Sequence, residues 1–238
     1  MLQTINLTKR YDNIEALSNV NIRIEKGSIF VLLGSNGAGK TTLLKIFATL
    51  LKPTSGQAFV NNLNVVENEI EVRRIIGYLP EIPHLYDHLT GYEFIRFIGI
   101  LKDMDENKLE NRISYLFREW NLEDKMHIPI GNYSKGMKQK IAIIQAIISE
   151  PKTLLLDEPI VGLDPEASIQ LKKFFRDFVS NGGTIFLTTH LTDFAESICT
   201  SIGIIHRGNL RFVGTLEDLY KKTNRDTIEE AFVGIVSA

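Results

Sequence analysis

Hydrophobic residues follow one rhythm at the start of this chain, change to another in the middle, and return to the first near the end. Up to about residue 35 they alternate as in strands, with turn residues at Tyr11-Asp12-Asn13 and Lys26-Gly27. The last of these segments, Ser28-Ile29-Phe30-Val31-Leu32-Leu33, is a continuous apolar run and reads as a buried strand. A helix is expected over residues 39–51, broken by Lys52-Pro53-Thr54-Ser55-Gly56 before a short strand at 57–60 that turns at Asn61-Asn62. Residues 75–79 are another short strand candidate. From about 83 to 149 the period becomes helical, with helices expected at 92–101, 106–120 and 135–149.

After Pro151 strand and helix alternate again: a strand at 154–157, a helix near 167–180, and strands at 184–188 and 202–206. This alternation favours right-handed crossovers and a parallel sheet. Arg207-Gly208-Asn209 reads as a hairpin turn into 210–213, and residues 216–222 and 228–236 are short helical candidates. The middle of the chain thus reads as a helical insert between two parts of a sheet. No internal repeat, low-complexity stretch or Pro/Ser-rich linker divides the chain, so its lobes are expected to be subdomains of one unit.

Three strings on this scaffold carry chemistry. Gly34-Ser35-Asn36-Gly37-Ala38-Gly39-Lys40-Thr41-Thr42 has the phosphate-loop spacing and lies where that loop belongs, between an apolar strand and a helix. Gly37 and Gly39 let backbone N–H groups turn inward around phosphate oxygens, and the helix N-terminus adds free donors and the positive end of its dipole. Lys40 is expected to reach the β and γ phosphates, and Thr41 to offer its hydroxyl to Mg²⁺. In the second string, Thr153-Leu154-Leu155-Leu156 is an apolar run that places Asp157 and Glu158 at the carboxyl end of a strand, where open α/β sheets bind ligands. Asp157 is expected to hold Mg²⁺, and Glu158 to orient or deprotonate an attacking water.

The third string, Tyr133-Ser134-Lys135-Gly136-Met137, precedes a long apolar-periodic helix. Ser134 suits its N-cap, and Gly136 allows close backbone approach. Lys135, Lys138 and Lys140 cluster there with no acidic residue, against the usual preference at a positive dipole end. A bound anion such as a γ-phosphate would relieve that conflict.

Taken in order, these strings resemble those of the nucleotide-binding subunit of ATP-binding-cassette (ABC) transporters, over essentially the whole chain. Gly34 to Thr42 resemble Walker A, Tyr133 to Met137 the signature, Asp157 and Glu158 Walker B, Gly162-Leu163-Asp164-Pro165 the D-loop, and Thr188-Thr189-His190 the switch histidine. The resemblance implies an α/β P-loop NTPase fold with a mixed-sheet core, an antiparallel β subdomain and a helical subdomain. It implies one domain over residues 1–238, with about 1–80 and 151–238 forming a RecA-like core plus β subdomain and about 81–150 the helical signature subdomain.

It further implies ATP and Mg²⁺ as ligands. Tyr11 would stack on adenine; Gly34, Ser35, Asn36, Gly37, Ala38, Gly39, Lys40, Thr41 and Thr42 would surround phosphates; Thr41, Asp157 and Glu81 would serve the metal. Glu158 would be the catalytic base, with His190 on the γ-phosphate. In the family two cassettes face head to tail, so Ser134 and Gly136 would serve the opposite protomer's nucleotide and Asp164 would couple the sites. The implied partners are a second ATPase subunit, with a homodimer expected, and an integral membrane permease.

Two departures qualify the likeness. Pro80-Glu81 stands where the family usually has a glutamine, and a carboxylate can ligate Mg²⁺ but cannot donate through an amide. Lys135 and Met137 replace the usual glycine and glutamine of the signature. Both forms, and the ending Thr227-Ile228-Glu229-Glu230-Ala231-Phe232, resemble the ABC-2 type exporter branch, whose membrane subunits are separate polypeptides.

Composition trims the alternatives. The 238 residues are 44% hydrophobic, enough for a sizeable core, and 27 basic against 29 acidic side chains give a net charge of −2. No basic field favours nucleic acid. Cys199, the only cysteine, excludes an internal disulfide and is expected to serve packing. No secretion signal is read at the start, and apolar segments such as 141–148 fall short of the ~18 residues that span a bilayer. The location that the resemblance implies is cytoplasmic, peripheral on the cytoplasmic face of the cell membrane. His84 and His88 are spaced for one helix face, but the remaining ligands of a zincin-like site are missing. A cassette ATPase that remodels or assembles a soluble complex is the alternative function. A phosphate-loop kinase or GTPase would leave Ser134–Met137 and His190 unexplained.

Overall fold

The computed structural model describes residues 1–237; residue 238, the last of the expected domain, lies outside the described residues. The chain begins with β1 (Leu2–Tyr11), β2 (Ile14–Ile24), β3 (Ile29–Leu33), α1 (Lys40–Phe47), β4 (Ser55–Val60), β5 (Leu63–Asn64), α2 (Glu69–Ile75) and β6 (Ile76–Leu79). The middle is helical, with α3 (Gly91–Leu101), α4 (Glu106–Glu119) and α5 (Lys135–Ile147). Alternation then resumes with β7 (Thr153–Asp157), α6 (Pro165–Ser180), β8 (Thr184–Thr189), α7 (Thr192–Ile198), β9 (Ser201–His206) and β10 (Asn209–Gly214), and the chain ends in α8 (Leu216–Thr223) and α9 (Ile228–Ser237).

The strands form two sheets. One is antiparallel, in the order β2-β1-β4-β5; the other has the order β10-β9-β3-β8-β7-β6 and is parallel except for the β9–β10 hairpin. All five residues of β3 are buried because both faces of the central sheet are covered. Ile29, Val31 and Leu33 enter a core shared with the inserted helices, while Phe30 and Leu32 enter a second core with α1 and the antiparallel sheet. Helix α1 is therefore packed between two sheets, with its first residue at the carboxyl end of β3.

The sequence pattern and the structure differ in a few places. Helix α1 stops at Phe47, short of residue 51, because Thr49 adopts a left-handed φ of 62°. There its hydroxyl accepts from Arg73 Nε at 2.7 Å and its carbonyl from Arg73 Nη2 at 3.2 Å. The seven-residue helices α2 and α7 escape the pattern: each is two turns long and begins without a side-chain cap. His84 and His88 lie in a non-helical stretch between β6 and α3, so they share no helix face. Among the described residues no group of three His, Cys, Asp or Glu side chains is placed to hold a metal, and no helix is long and apolar enough to cross a membrane. Burial pushes the Cys199 thiol up to about 11, as suits a packing residue.

Candidate active site

The site is built where β3 passes into α1. Gly39 caps that helix with a φ of 109°, and a Cβ there would lie 2.6 Å from the Ala16 carbonyl oxygen, so both conformation and space require glycine. The preceding turn is closed by Ala38 N donating to Ser35 O at 3.1 Å. From outside, Gly208 N in the β9–β10 turn donates to Ala38 O at 3.0 Å and fixes the loop. No acidic side chain lies in the first turn of α1 and none caps it, so the positive helix end is left for an anion. Lys40 is buried, and its ammonium donates to the carbonyls of Gly34 at 2.7 Å and Ser35 at 3.2 Å. Burial lowers its pKa, opposed by the negative charges of Glu158, Asp157 and Glu81.

Two strands deliver the carboxylates. The parallel register of β7 with β8 sets Asp157 beside Thr188. Asp157 is buried; its Oδ2 accepts from Thr41 Oγ1 at 2.7 Å and its Oδ1 from the Thr188 hydroxyl. Glu158 is 7% exposed and has a left-handed φ of 50°, a conformation that costs a non-glycine residue about 1–3 kcal/mol. Its surroundings hold it there. The backbone N donates to Thr188 O at 3.0 Å, Oε2 accepts from Thr189 Oγ1 at 2.9 Å, and Oε1 lies 2.8 Å from His190 Nδ1. His190 itself is largely exposed, so a buried carboxylate is linked to an imidazole that faces outward.

The remaining candidates divide into groups. Ser35, Asn36 and Gly37 form the exposed rim of the loop, and Thr42 lies half-buried in α1. Glu81 is exposed just beyond β6, with its charge felt at Lys40. Thr41 is joined to Asp157 and His190 to Glu158, and the charges of Asp157, Glu158 and Glu81 are all felt at Lys40. Tyr11 ends β1 on the antiparallel sheet, exposed, with Lys9 Nζ 5.2 Å from its ring centroid. Ser134, Gly136 and Asp164 form a separate cluster. Ser134 caps α5 by accepting from Met137 N at 3.2 Å, Asp164 caps α6 by accepting from Ala167 N at 2.8 Å, and Gly136 packs on the Gly162 carbonyl. No hydrogen bond joins this cluster to the 34–42 loop among the described residues.

The structure also adds residues that the sequence reading left without a role. Thr188 and Thr189 orient the two carboxylates. Tyr78 on β6 is pushed up to about 12 by burial, with Asp157 adding to the shift. Gln139 points out of an otherwise aliphatic stripe of α5 to donate to Pro159 O at 3.0 Å; a lone polar residue in that stripe was its visible signal. The basic start of α5 is not left to a bound anion alone, because Asp87, from the loop before α3, pairs with Lys138 at 2.9 Å. That loop is 51 residues away in sequence, too far for the pattern to reveal.

The chain is similar to known proteins over most or all of its length. Residues 17–161 match the family described as ABC transporter. The bacitracin transport ATP-binding protein BcrA of Enterococcus faecalis is 33% identical over 100% of this chain and 77% of its own length. A solved ATP-binding subunit of an ABC transporter superimposes with a TM-score of 0.93 at 32% identity, covering 99% of both chains. A dimeric ATP-binding cassette in a post-hydrolysis state, bound to ADP and Pi, superimposes with a TM-score of 0.83 at 26% identity, covering 91% of this chain and 99% of that one.

Proposed function

The chain belongs to the ABC transporter family, and from that premise we propose that it hydrolyses ATP as one half of a dimer and drives export through a separate membrane protein. The observation that carries this reading is the Glu158 carboxylate, oriented by Thr189 at 2.9 Å and His190 at 2.8 Å, next to the Thr41–Asp157 pair. A carboxylate held that firmly accepts the proton of a water as the water oxygen bonds to the γ-phosphorus and the bond to the β-phosphate oxygen breaks, giving ADP and inorganic phosphate. Lys40 and the N–H groups of the 34–42 loop hold the phosphate oxygens, and His190 touches the γ-phosphate from the exposed side. Positioning and charge stabilisation supply most of the catalysis such a site needs.

The hard oxygens of Thr41 and Asp157 suit Mg²⁺, and Glu81, whose charge is felt at Lys40, would be the further carboxylate to serve it. The ion, when bound, neutralises charge on the β and γ oxygens. Tyr11 serves the adenine. Ser134 and Gly136, remote from their own chain's loop in hydrogen bonding, serve the nucleotide of a second copy, and Asp164 links the two sites. The dimeric ADP- and Pi-bound neighbour supports that arrangement.

Export is favoured by the Pro80-Glu81 and Ser134-Lys135-Gly136-Met137 forms and by the similarity to a bacitracin transport protein. The place of work is then the cytoplasmic membrane face, with the bilayer crossed by another chain. The test is a pull-down of tagged Glu158→Gln protein from native membranes with ATP and Mg²⁺, with co-purifying chains identified by mass spectrometry. A polytopic membrane protein is expected. Soluble partners alone would replace transport by remodelling of a soluble complex.

A further inference from the structure

Helix α5 buries Ile141, Ala142, Ile143, Ile144, Ala146 and Ile147, and among them the amide of Gln139, only 7% exposed. A buried amide costs free energy unless its donors are used, and an aliphatic side chain of that size would fill the same space. Gln139 uses its Nε2 to donate to the Pro159 carbonyl at 3.0 Å. That carbonyl belongs to the residue immediately after Glu158, whose left-handed φ of 50° leaves little rotational freedom without reorienting the carboxylate. The start of the same helix touches the same segment twice more. A Cβ on Gly136 would lie 3.1 Å from Gly162 O, and the aliphatic stem of Lys135 lies 3.3 Å from where a Gly162 Cβ would be. The start of α5 thus meets the segment after Glu158 at Pro159 and at Gly162, with Gln139 nearest to Glu158.

We propose that Gln139 is a positioning residue that couples the Ser134–Gly136 end of α5 to the Glu158 carboxylate. The proposal rests on the reading given above, in which Ser134 and Gly136 meet the nucleotide of a second copy and Glu158 activates water. A shift of α5 on meeting that nucleotide moves the Pro159 carbonyl through the amide and re-aims Glu158. Each site then turns over according to the occupancy of the other.

The experiment measures steady-state ATP hydrolysis by the full chain against ATP concentration, with turnover expressed per titrated nucleotide site. Gln139→Met keeps the length and removes the donor. It is expected to lower kcat roughly ten- to hundredfold, to leave nucleotide affinity within about twofold, and to bring the Hill coefficient from above one towards one. Loss of packing alone would reduce the number of titrated sites and leave turnover per site unchanged. If Gln139→Met does not fold, Gln139→Lys and Gln139→Glu carry the test. Both bury a charge in the same space, but only lysine can donate to Pro159 O, so lysine should retain most turnover per site and glutamate should lose it. Wild-type hydrolysis with an unchanged Gln139→Met, or equal losses for lysine and glutamate, overturns the coupling and leaves the reading of Glu158 standing. A wild-type chain that does not hydrolyse ATP overturns both.

Discussion

The two ends of the parallel sheet handle charge in opposite ways. At the carboxyl ends of β3, β7 and β8, Lys40, Asp157 and Glu158 are buried, and each is answered by named donors or acceptors at 2.7–3.2 Å. At the amino ends of β7 and β8 a cleft of about 1210 Å³ is bordered by Arg112, Trp120, Lys152, Lys173, Phe174 and Thr184. It is roomy and open, and its charges are of both signs and weakly paired: Arg112 meets Glu150 at 3.4 Å, and Glu150 is 72% exposed. In water such a pair contributes about 0–1 kcal/mol. Buried carboxylates with fixed donors are preorganised, whereas an open cleft of compensating charges is merely solvated. Fixed polar partners, not volume, mark the end to which the proposed chemistry is assigned.

The sharpest way to break that contrast is Glu158→Gln. It should lower turnover by roughly 10²–10⁴, the range of a general base, while nucleotide still binds and an ATP-dependent dimer accumulates on size-exclusion chromatography. Unchanged turnover would remove Glu158 from its role and leave the crowded end without a base. Lys40→Ala comes next. Losing charged hydrogen bonds to phosphate costs about 1.5–3 kcal/mol, so nucleotide affinity should fall roughly ten- to hundredfold in a fluorescence titration. Wild-type affinity would contradict the phosphate-loop assignment.

Thr189→Val keeps the shape of the side chain and removes the hydroxyl that fixes Glu158 Oε2. It should lower kcat about tenfold with KM within about twofold, because it loosens one of two restraints on the carboxylate and touches no phosphate. A rise in KM with kcat unchanged would mean that Thr189 serves binding and not the orientation of Glu158.

The crowded end was the more legible of the two in the sequence. The residues to which the proposed chemistry is assigned lie in contiguous strings, 34–42, 153–159 and 188–190, each at the end of an apolar run, and strand position follows from such runs. Contacts that join distant strings were not legible: Thr188 to Asp157 and Thr189 to Glu158 cross 31 residues, Gln139 to Pro159 crosses 20, and Lys138 to Asp87 crosses 51. These depend on sheet order, and sheet order follows from tertiary packing. The seven residues of α2 and of α7 give too few periods to register, and the early stop of α1 depends on Arg73 reaching Thr49 from another helix. The cleft was invisible for a further reason: nothing in the sequence pattern sets Arg112, Lys152 and Lys173 apart from other charged residues, and only the fold brings them to one rim.

The smallest effect is expected at that rim. Arg112→Met removes the exposed ion pair with Glu150, worth about 0–1 kcal/mol, and a cation–π contact in which the guanidinium lies 5.5 Å from the Tyr115 ring centroid, worth about 0.5–1 kcal/mol at such a site. Against these stands Arg112 Nε, a buried donor with no protein partner, whose removal relieves a penalty of about 1–3 kcal/mol. The terms oppose one another, and the third is the largest, so the chain should be unchanged in stability or stabilised by about 1 kcal/mol in a denaturant titration, with ATP turnover within about twofold of wild type. A marked loss of turnover at full stability would bring the roomy end into the catalytic cycle and end the contrast. A marked loss of stability would mean that the Glu150 and Tyr115 contacts outweigh the orphaned donor, and that the cleft is a structural joint between α4 and the sheet.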